Sequence, residues 1–218
     1  MPSTFPRLTP LTDSALLLEL GDAIDPDLNA RAHALAAALR SSGLPGLGQA
    51  VPGYASLLVP YDPAQLAFSA LSDWLRANIE TIQPLPAAQS RTVEIPVRYG
   101  GADGPDLDFV AAHNHLTPAE VIARHTAPLY PVYFMGFAPG FPYLGGLDPR
   151  IAAPRLTSPR TRIPAGSVGI AGSQTGVYPL ETPGGWRLIG RTERLLFDPS
   201  REPPFLLEPG DRVKFVAV

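Results

Sequence analysis

The sequence predicts an α+β protein of two domains. Helix and strand patterns alternate over the first eighty or so residues, whereas glycine, proline and short apolar segments predominate later. Between them, QPLPAAQSR at 83–91 has no periodicity and contains two prolines, which is typical of a linker. A chain of 218 residues can form two small domains, each with its own core. We therefore expect domains over residues 1–85 and 92–218.

The first domain alternates strands and helices. The apolar run SALLLEL, residues 14–20, predicts a buried strand, and Pro26 then opens a helix that ends before Gly43. The segment 48–61 predicts two strands around a tight turn, and apolar residues at helical spacing predict a second helix over 63–79. The order of strand, helix, strand pair and helix predicts a ferredoxin-like α/β sandwich.

The second domain begins with a strand, TVEIPVRYG, followed by two helices in GPDLDFVAAHNHL and TPAEVIARHT. The latter helix should start with Pro118 at its first position and a capping box of Thr117 and Glu120. Everything after it reads as strand or loop, and PFLLEPGDRVKFVAV predicts two strands around a Pro-Gly-Asp turn. This half of the chain should therefore form a β-barrel or closed sheet with a few helices.

Composition excludes several classes of protein. The chain has no cysteine, which excludes disulfides, thiol nucleophiles and sulfur-built zinc sites and favours a reducing compartment. Neither a signal peptide nor an apolar run of membrane-spanning length is present, so we expect a cytoplasmic protein without membrane contact. The net charge of −3 argues against nonspecific nucleic-acid binding.

The most unusual stretch is residues 134–192, where glycine, proline, aromatic residues and arginine are concentrated. Glycine and proline together favour rigid, irregular loops that can surround a ligand. From Arg150 to Arg194 there are seven arginines against Glu181 and Glu193, a local excess of positive charge that favours an anionic ligand. The alternative is that these arginines cover apolar surface or pair with distant carboxylates.

The residues of this block are better suited to binding than to unaided chemistry. Neither a GxSxG nucleophile motif nor a GxxxxGK[ST] phosphate loop occurs, and the only lysine is Lys214. Ser167 and Ser173 are interpreted as turn hydroxyls rather than nucleophiles. The three histidines nearest before the block are interpreted as surface or helix-end residues rather than metal ligands; they are His113, His115 and His125.

Two features of the block stay open at the level of sequence. Glycines at every third or fourth position from Gly166 to Gly176 suit either an anion-binding nest or closely packed barrel strands. The aromatic residues beside glycine or proline could line a pocket, plug the barrel end, or do both; they are Phe137, Phe141, Tyr143, Tyr178 and Trp186.

Three segments carry a family resemblance: GFAPGFPYLGGLD at 136–148, SPRTRIPAGSVGIAGSQTGVYP at 158–179 and TPGGWRLIGRT at 182–192. They closely resemble the allophanate hydrolase subunit 1 family, which contains carboxyltransferase subdomains C and D. The opening PLTDSALLLELG is similar to the family's N-terminus, so the resemblance covers nearly the whole chain. Bacterial members include the B subunit of the ATP-dependent 5-oxoprolinase and the kinase inhibitor KipI.

The resemblance implies a ferredoxin-like N-terminal domain, a cyclophilin-like β-barrel and a partner, the C subunit of the same complex, from the allophanate hydrolase subunit 2 family. With the A and C subunits, such a protein would open the lactam of 5-oxoproline to L-glutamate while ATP is hydrolysed. It would be inactive alone. ATP is then a co-substrate of the complex, bound on a subunit that the sequence does not identify, and no metal site is expected in this chain. The alternatives are a KipI-like inhibitor of a sensor histidine kinase and a carboxyltransferase half of a urea carboxylase system.

Motif matches give a set of candidate ligand-contacting residues but no catalytic residue. We expect these residues to surround a small carboxylate held by Arg160, Arg162 or Arg191. The full set is Phe141, Tyr143, Arg160, Arg162, Gly166, Gln174, Tyr178, Gly184, Gly185, Trp186 and Arg191.

Overall fold

The computed structural model describes residues 5–83 and 91–218, in two units. One unit extends to Ala88 and the other starts at Gln89, so the division falls within the predicted linker. Residues 84–90 of that linker lie outside the described residues. Independent folding of the two domains therefore stays a prediction, which limited proteolysis between Gln83 and Arg91 would test.

The first unit is a four-stranded antiparallel sheet with two helices. Strands β1 (Arg7–Thr12), β2 (Ala15–Glu19), β4 (Ser56–Pro60) and β3 (Val51–Pro52) lie in this order across the sheet. Alternate residues of β2 and β4 are buried, because one face of the sheet is covered by α1 (Pro26–Arg40) and α2 (Phe68–Asn78). The predicted elements are present, with one additional strand.

Local chemistry explains both the agreement and the differences in this unit. The Asp25 carboxylate caps α1 by accepting from the Asp27 and Leu28 amides at 2.8 and 3.1 Å. Strand β1 was missed because it is an edge strand that is largely exposed, so it has no hydrophobic period. The helix predicted over 63–79 begins only at Phe68, because the Asp62 carboxylate accepts from the Ala64 amide and holds a turn instead.

The second unit is a closed seven-stranded barrel, as the sequence predicted. Its order around the barrel is β10 (Gln174–Val177), β7 (Pro142–Leu144), β6 (Tyr130–Met135), β13 (Arg212–Ala217), β5 (Thr92–Tyr99), β12 (Arg187–Arg191) and β9 (Ser167–Ala171). All pairings are antiparallel except that of β13 with β5. Apolar side chains such as Ile95, Val168 and Phe215 fill the interior.

Helices α3 (Leu107–His113) and α4 (Pro118–Thr126) pack against the barrel. The capping box of α4 is present: the Glu120 amide donates to the Thr117 hydroxyl at 3.2 Å, and the Thr117 amide donates to the Glu120 carboxylate at 2.8 Å. At the other end of α4, Lys214 donates to the Thr126 and Ala127 carbonyls at 2.6 and 2.8 Å. The only lysine of the chain thus neutralises a helix C-terminus.

Two details of the second unit differ from the predictions. A single 3₁₀ turn, Pro149–Ile151, interrupts the region expected to hold only strands and loops. The segment before the Pro-Gly-Asp turn is not a strand; Phe205 forms only an isolated bridge with Phe197. Pro203 and Pro204 precede it and have no amide hydrogen to donate to a neighbouring strand.

Candidate functional site

The three motif segments meet at one side of the barrel. A short two-stranded sheet of β8 (Arg160–Ile163) and β11 (Thr182–Gly184) lies outside the barrel order. A separate hydrophobic cluster of Phe141, Ile163, Ala171, Tyr178, Trp186 and Leu188 draws residues from all three segments. Segments far apart in the chain therefore form one structural site.

Phe141 is the centre of this aromatic cluster. Its ring centroid lies 5.3 Å from that of Tyr178, 5.5 Å from that of Trp186 and 5.1 Å from that of Tyr143, each close to edge-on. Such edge-to-face contacts are the favoured geometry of aromatic pairs. Phe141 and Tyr178 are each only 1% exposed, so they form a packed floor rather than an open wall.

Phe137 behaves differently from the other aromatic residues. It is 62% exposed, its φ is +60°, and its ring touches Phe141 and Tyr178 edge-on at 5.4 and 6.2 Å. Phe137 also borders an open apolar groove of about 560 Å³, lined mainly by residues 135–140 and 205–209. The aromatic residues thus both pack a floor and border a groove, the mixture that the sequence left open.

Most glycines of the block permit close packing. A Cβ on Gly169 would lie 3.1 Å from the Trp186 side chain, and one on Gly176 would lie 3.0 Å from the Phe141 ring. Gly166 has a φ of +82°, and a Cβ there would collide with the Thr192 carbonyl oxygen. Close packing of the barrel strands and one turn therefore explains why glycine occurs at these three positions.

The Gly184 and Gly185 backbone covers the aromatic floor. A Cβ on Gly184 would lie 2.5 Å from the Tyr178 hydroxyl oxygen. The Gly185 carbonyl accepts from the Leu156 amide at 2.7 Å. In the TPGGW motif, the backbone of Gly184 therefore lies against the Tyr178 hydroxyl, and any side chain at position 184 would displace Tyr178.

Two of the candidate arginines have carboxylate partners. Arg160 donates to the buried Asp106 carboxylate at 3.0 Å, and Arg162 pairs with Glu181 at 2.6 Å. Arg191 instead donates to the Ala165 carbonyl at 3.0 Å. Of these three, Arg191 alone forms no ion pair within the described part of the chain.

Asp106 is a functional candidate that the sequence did not indicate. Besides Arg160, it accepts from the Leu188 amide at 2.7 Å and lies 3.8 Å from the Arg187 guanidinium. The Arg187 guanidinium in turn lies 3.5 Å from the centre of the Phe109 ring. Asp106 thereby ties α3 to β12, yet it lies 54 residues from Arg160 in the chain, and no motif marks it.

Tyrosine hydroxyls and Arg155 give the site its electrostatic character. Burial raises the pKa of Tyr178 to about 12, against the opposing effects of the Trp186 backbone N–H and the Arg155 charge. Burial also raises the pKa of Tyr143, and Arg155 again opposes it. Both hydroxyls stay protonated at neutral pH and can act as hydrogen-bond donors.

His125 is neither a surface residue nor a free base. It lies in the last turn of α4, as a helix-end residue, but its side chain is fully buried; Tyr99 Oη lies 2.7 Å from Nδ1 and Thr175 Oγ1 lies 2.9 Å from Nε2. Because Thr175 donates its own proton to the Gly169 carbonyl, His125 donates from Nε2 and accepts at Nδ1. Burial lowers its pKa to about 3, so it is neutral.

The two serines of the block do not form a nucleophile–base pair with His125, since both of its nitrogens are already occupied. Ser167 closes the turn that precedes β9, where its amide donates to the Pro164 carbonyl at 3.2 Å, and it is buried as the first residue of that strand. Ser173 is at the β9–β10 turn, as expected. Across residues 5–83 and 91–218, no group of three or more His, Asp or Glu side chains could hold a metal ion.

Gln174, the remaining candidate, opens β10 opposite Ala171. Of the candidate residues, the aromatic cluster contains Phe141, Tyr143, Tyr178 and Trp186, and the Gly184 backbone covers it. Arg162 is instead an exposed side chain of the β8–β11 sheet.

Among the described helices, none is both long enough and apolar enough to span a bilayer.

Comparison with known proteins gives consistent results. Urea amidolyase from Lachancea kluyveri is 30% identical over 240 residues, which is 94% of this chain but 13% of that protein. The crystal structure of TTHA0988 matches with a TM-score of 0.81 at 44% identity, over 94% of this chain; this chain spans only 40% of TTHA0988.

A higher identity is found with the 5-oxoprolinase B subunit from Bacillus subtilis (strain 168). It is 47% identical over 222 residues, covering 97% of this chain and 92% of the relative. A family model, described as carboxyltransferase domain, subdomain C and D, matches residues 6–207. With the barrel and the three motif segments in place, the chain belongs to this carboxyltransferase-domain family.

Proposed function

We propose that the chain is the B subunit of an ATP-dependent 5-oxoprolinase, which opens the lactam of 5-oxoproline to L-glutamate together with the A and C subunits. The observation that carries this function is the 47% identity to a 5-oxoprolinase B subunit over nearly the full length of both chains. Urea amidolyase is less similar, and this chain matches only a small part of it. The carboxyltransferase and kinase-inhibitor alternatives therefore rank second.

The site supports a binding role for this chain within the complex. 5-Oxoproline is a flat five-membered lactam with one carboxylate, so it needs a planar apolar surface and a cationic partner. The exposed Phe137 ring, which packs against Phe141 and Tyr178, and the arginines of the motif segments offer these two features. The candidate residues are those predicted from the motifs, with the cluster members Tyr143, Tyr178 and Trp186 at the centre.

The chemistry of lactam opening requires groups beyond this chain. A neutral histidine with both nitrogens occupied cannot serve as a general base, and Lys214 is engaged by two carbonyls rather than available to a phosphate. The sequence also has no phosphate loop. This chain is therefore inactive alone, and ATP does not bind to it by the P-loop mechanism.

The proposal also assigns a fold to each of the two units and a cellular location to the protein. The first unit is a ferredoxin-like sandwich, supported by the split arrangement in which β4 lies between β2 and β3. The second is a cyclophilin-like barrel, supported by seven closed strands with two packed helices. The absence of cysteine supports a cytoplasmic location.

Reconstitution tests this function. The purified chain, the A and C subunits, and all three together are incubated with 5-oxoproline and ATP, and released glutamate is measured. Only the complete mixture should produce glutamate. Turnover by the isolated chain, or full activity when the chain is omitted, would contradict the proposal. A sensor histidine kinase assay and a urea carboxylation assay on the same preparation distinguish the two alternatives.

A further inference from the structure

The apolar groove beside Phe137 leaves two aromatic side chains in contact with solvent. It is lined by residues 135–140, Phe205 and residues 207–209, and we call it the Phe137 groove. Phe137 is 62% exposed and Phe205 is 40% exposed. Contact of large apolar rings with water is unfavourable, and exposed apolar patches commonly mark places where another molecule binds.

The backbone of Phe137 adds to this cost. The Ala138 amide donates to the Gly136 carbonyl at 2.6 Å, which closes a γ-turn with Phe137 at its centre. The φ of Phe137 is +60°, so the turn belongs to the rarer and more strained of the two γ-turn types. Asparagine or glycine would adopt this φ more readily and would expose no ring. Strain combined with exposure at one residue is typical of a functional position.

Hydrogen bonds hold both walls of the groove in place. On one side, the Gly136 amide donates to the Phe141 carbonyl at 3.1 Å. On the other side, the Asp211 carboxylate accepts from the Glu208 amide at 2.9 Å and pairs with Arg91 at 2.6 Å. The groove is therefore formed before a partner binds, and binding does not have to order it.

Glu208 gives the groove a negative charge. It is the charged residue of the lining, its side chain is exposed, and no ion pair in residues 5–83 and 91–218 includes it. Arg91, beside the same wall, is occupied by Asp211 and by the Leu206 carbonyl at 2.8 Å. A carboxylate here repels the anionic groups of 5-oxoproline and ATP. The groove instead suits an apolar segment that carries a basic side chain.

The relatives indicate that the occupant is a polypeptide. The matched segment is 40% of TTHA0988 and 13% of urea amidolyase, so in both proteins it is joined to further chain. The relative of similar length is named as one subunit of 5-oxoprolinase. In each case the family module has another polypeptide as its companion.

We propose that the Phe137 groove is the docking surface for the C subunit, which presents an apolar segment beside Phe137 and a basic side chain opposite Glu208. This inference rests on the proposed function, which makes the C subunit a partner of this chain. Phe137 borders the groove and also packs against Phe141 and Tyr178. The docked subunit would therefore also cover the ring that the proposed function offers to 5-oxoproline.

Binding of the purified C subunit to the full-length chain tests this surface. Isothermal titration calorimetry without substrate measures the dissociation constant. Phe137→Asn should weaken binding about 30-fold or more, since a few aromatic residues commonly dominate the affinity of an interface. Phe109→Asn is the matched control, because Phe109 is also exposed but lies on α3, outside the groove. It should bind the C subunit as tightly as the wild type does.

The stability of the same variant separates docking from a structural role. Asparagine tolerates a φ of +60° better than phenylalanine does, so the Phe137→Asn chain alone should unfold at the same urea concentration as the wild type or at a higher one. A ring that the fold needs would lower the urea midpoint when it is removed, and that result would overturn the inference.

Glu208→Gln tests the charge of the groove. It should weaken binding of the C subunit about fivefold at low salt and less at high salt, because salt screens an exposed charge contact. Glu94→Gln, at an exposed position on β5 outside the groove, is the control and should have no effect. Equal effects of the two variants would overturn the proposed contact with a basic side chain.

Reconstitution distinguishes this inference from the proposed function. The docking surface is overturned if the C subunit does not bind the wild-type chain, or binds wild type and Phe137→Asn equally. Phe137-dependent binding of the A subunit or of a second copy of this chain also overturns it. Glutamate production by the complete mixture leaves the function standing in all these cases. If C-subunit binding depends on Phe137 but the mixture produces no glutamate, the function is overturned and the docking surface stands.

Discussion

Two places in the barrel unit bring tyrosine hydroxyls close to a basic side chain, and they differ in burial. Within the barrel, Tyr99, His125 and Thr175 form a sealed chain in which both histidine nitrogens have partners. In the aromatic cluster, Tyr143 is half-buried and Tyr178 is 1% exposed, and the charge of the exposed Arg155 opposes the rise that burial causes in the pKa of both. Burial lowers the pKa of His125 to about 3 and so removes its charge at neutral pH.

The comparison shows that burial decides whether a basic side chain contributes to stability or can contact a ligand. A sealed and satisfied chain has no free donor or acceptor for a ligand, so it contributes to stability and to a unique core. An open arrangement with an unpaired cation adds little stability and can bind an anion. Stability measurements should therefore separate the two places clearly.

The largest effect is expected from His125→Ala. It leaves a cavity in the core and removes the acceptor of the Tyr99 hydroxyl, so unfolding free energy should fall by about 3 to 5 kcal/mol. Urea denaturation followed by circular dichroism measures it. His113→Ala, at an exposed position on α3, is the control and should cost about 0.5 kcal/mol or less. Equal losses of unfolding free energy in both variants would show that the Tyr99–His125–Thr175 chain does not contribute more to stability than an exposed histidine does.

Asp106→Ala should rank next, because Asp106 is buried, as His125 is, and forms ion pairs with Arg160 and Arg187. Its loss leaves Arg160 and Arg187 without their carboxylate and the Leu188 amide without an acceptor, at a cost of about 3 kcal/mol. Near-ultraviolet circular dichroism should change as well, since Trp186 is held through Arg160. Asp108→Ala, exposed on the same helix, should change stability by about 0.5 kcal/mol. An unchanged Trp186 signal in Asp106→Ala would disprove the link.

The pH dependence of stability sharpens the comparison further. The folded-state pKa of His125 is lowered by burial to about 3, whereas the unfolded chain binds the proton near the usual 6.5. The unfolded state thus binds more protons at acidic pH, and stability is lost progressively as pH falls from about 6.5 toward 3. Between about pH 6.5 and 5 the loss should reach about 2 kcal/mol.

His125→Gln provides the matched control for this pH range, because glutamine can keep a hydrogen bond but does not titrate. Its urea midpoint should be nearly flat between pH 6.5 and 5. The lowered pKa of Asp148, about 2 because Arg150 donates to its carboxylate, affects stability only at more acidic pH. A slope that persists unchanged in His125→Gln would assign the acid sensitivity to other groups.

The smallest effect is expected on the open side. Arg162→Ala breaks the exposed ion pair with Glu181, and such pairs contribute about 0 to 1 kcal/mol. Thermal unfolding should therefore shift little, and less still in high salt. A loss comparable to that of Asp106→Ala would mean that the β8–β11 sheet depends on this pair.

Local patterns predicted those elements that local chemistry controls. The α4 capping box was visible because Thr117 and Glu120 lie three positions apart and bond to each other's backbone. The barrel was visible because alternation and turn residues repeat along the second half of the chain. Strand β1 was missed because a largely exposed edge strand needs no hydrophobic period.

The motif segments grouped Phe141, Tyr178 and Trp186, and these three side chains pack together in the folded chain. Their contact with a ligand stays a prediction. Arg160, Arg162 or Arg191 was expected to hold the carboxylate of a ligand, and that contact stays a prediction; in the folded chain Arg160 and Arg162 each pair with a carboxylate. Asp106 could not be found, because nothing near it in sequence indicates its partners.

By itself the sequence determined the barrel-forming second half, the helix boundaries set by caps and prolines, and the segments that gather around Phe141. These depend on steric and hydrogen-bonding preferences that act over a few residues. Only the tertiary structure decided which arginines pair with carboxylates, how deeply His125 is buried, and how the Phe141, Tyr178 and Trp186 rings pack against one another. Charge pairing and burial depend on residues that folding brings together from distant parts of the chain, and those distances are not encoded in any local pattern.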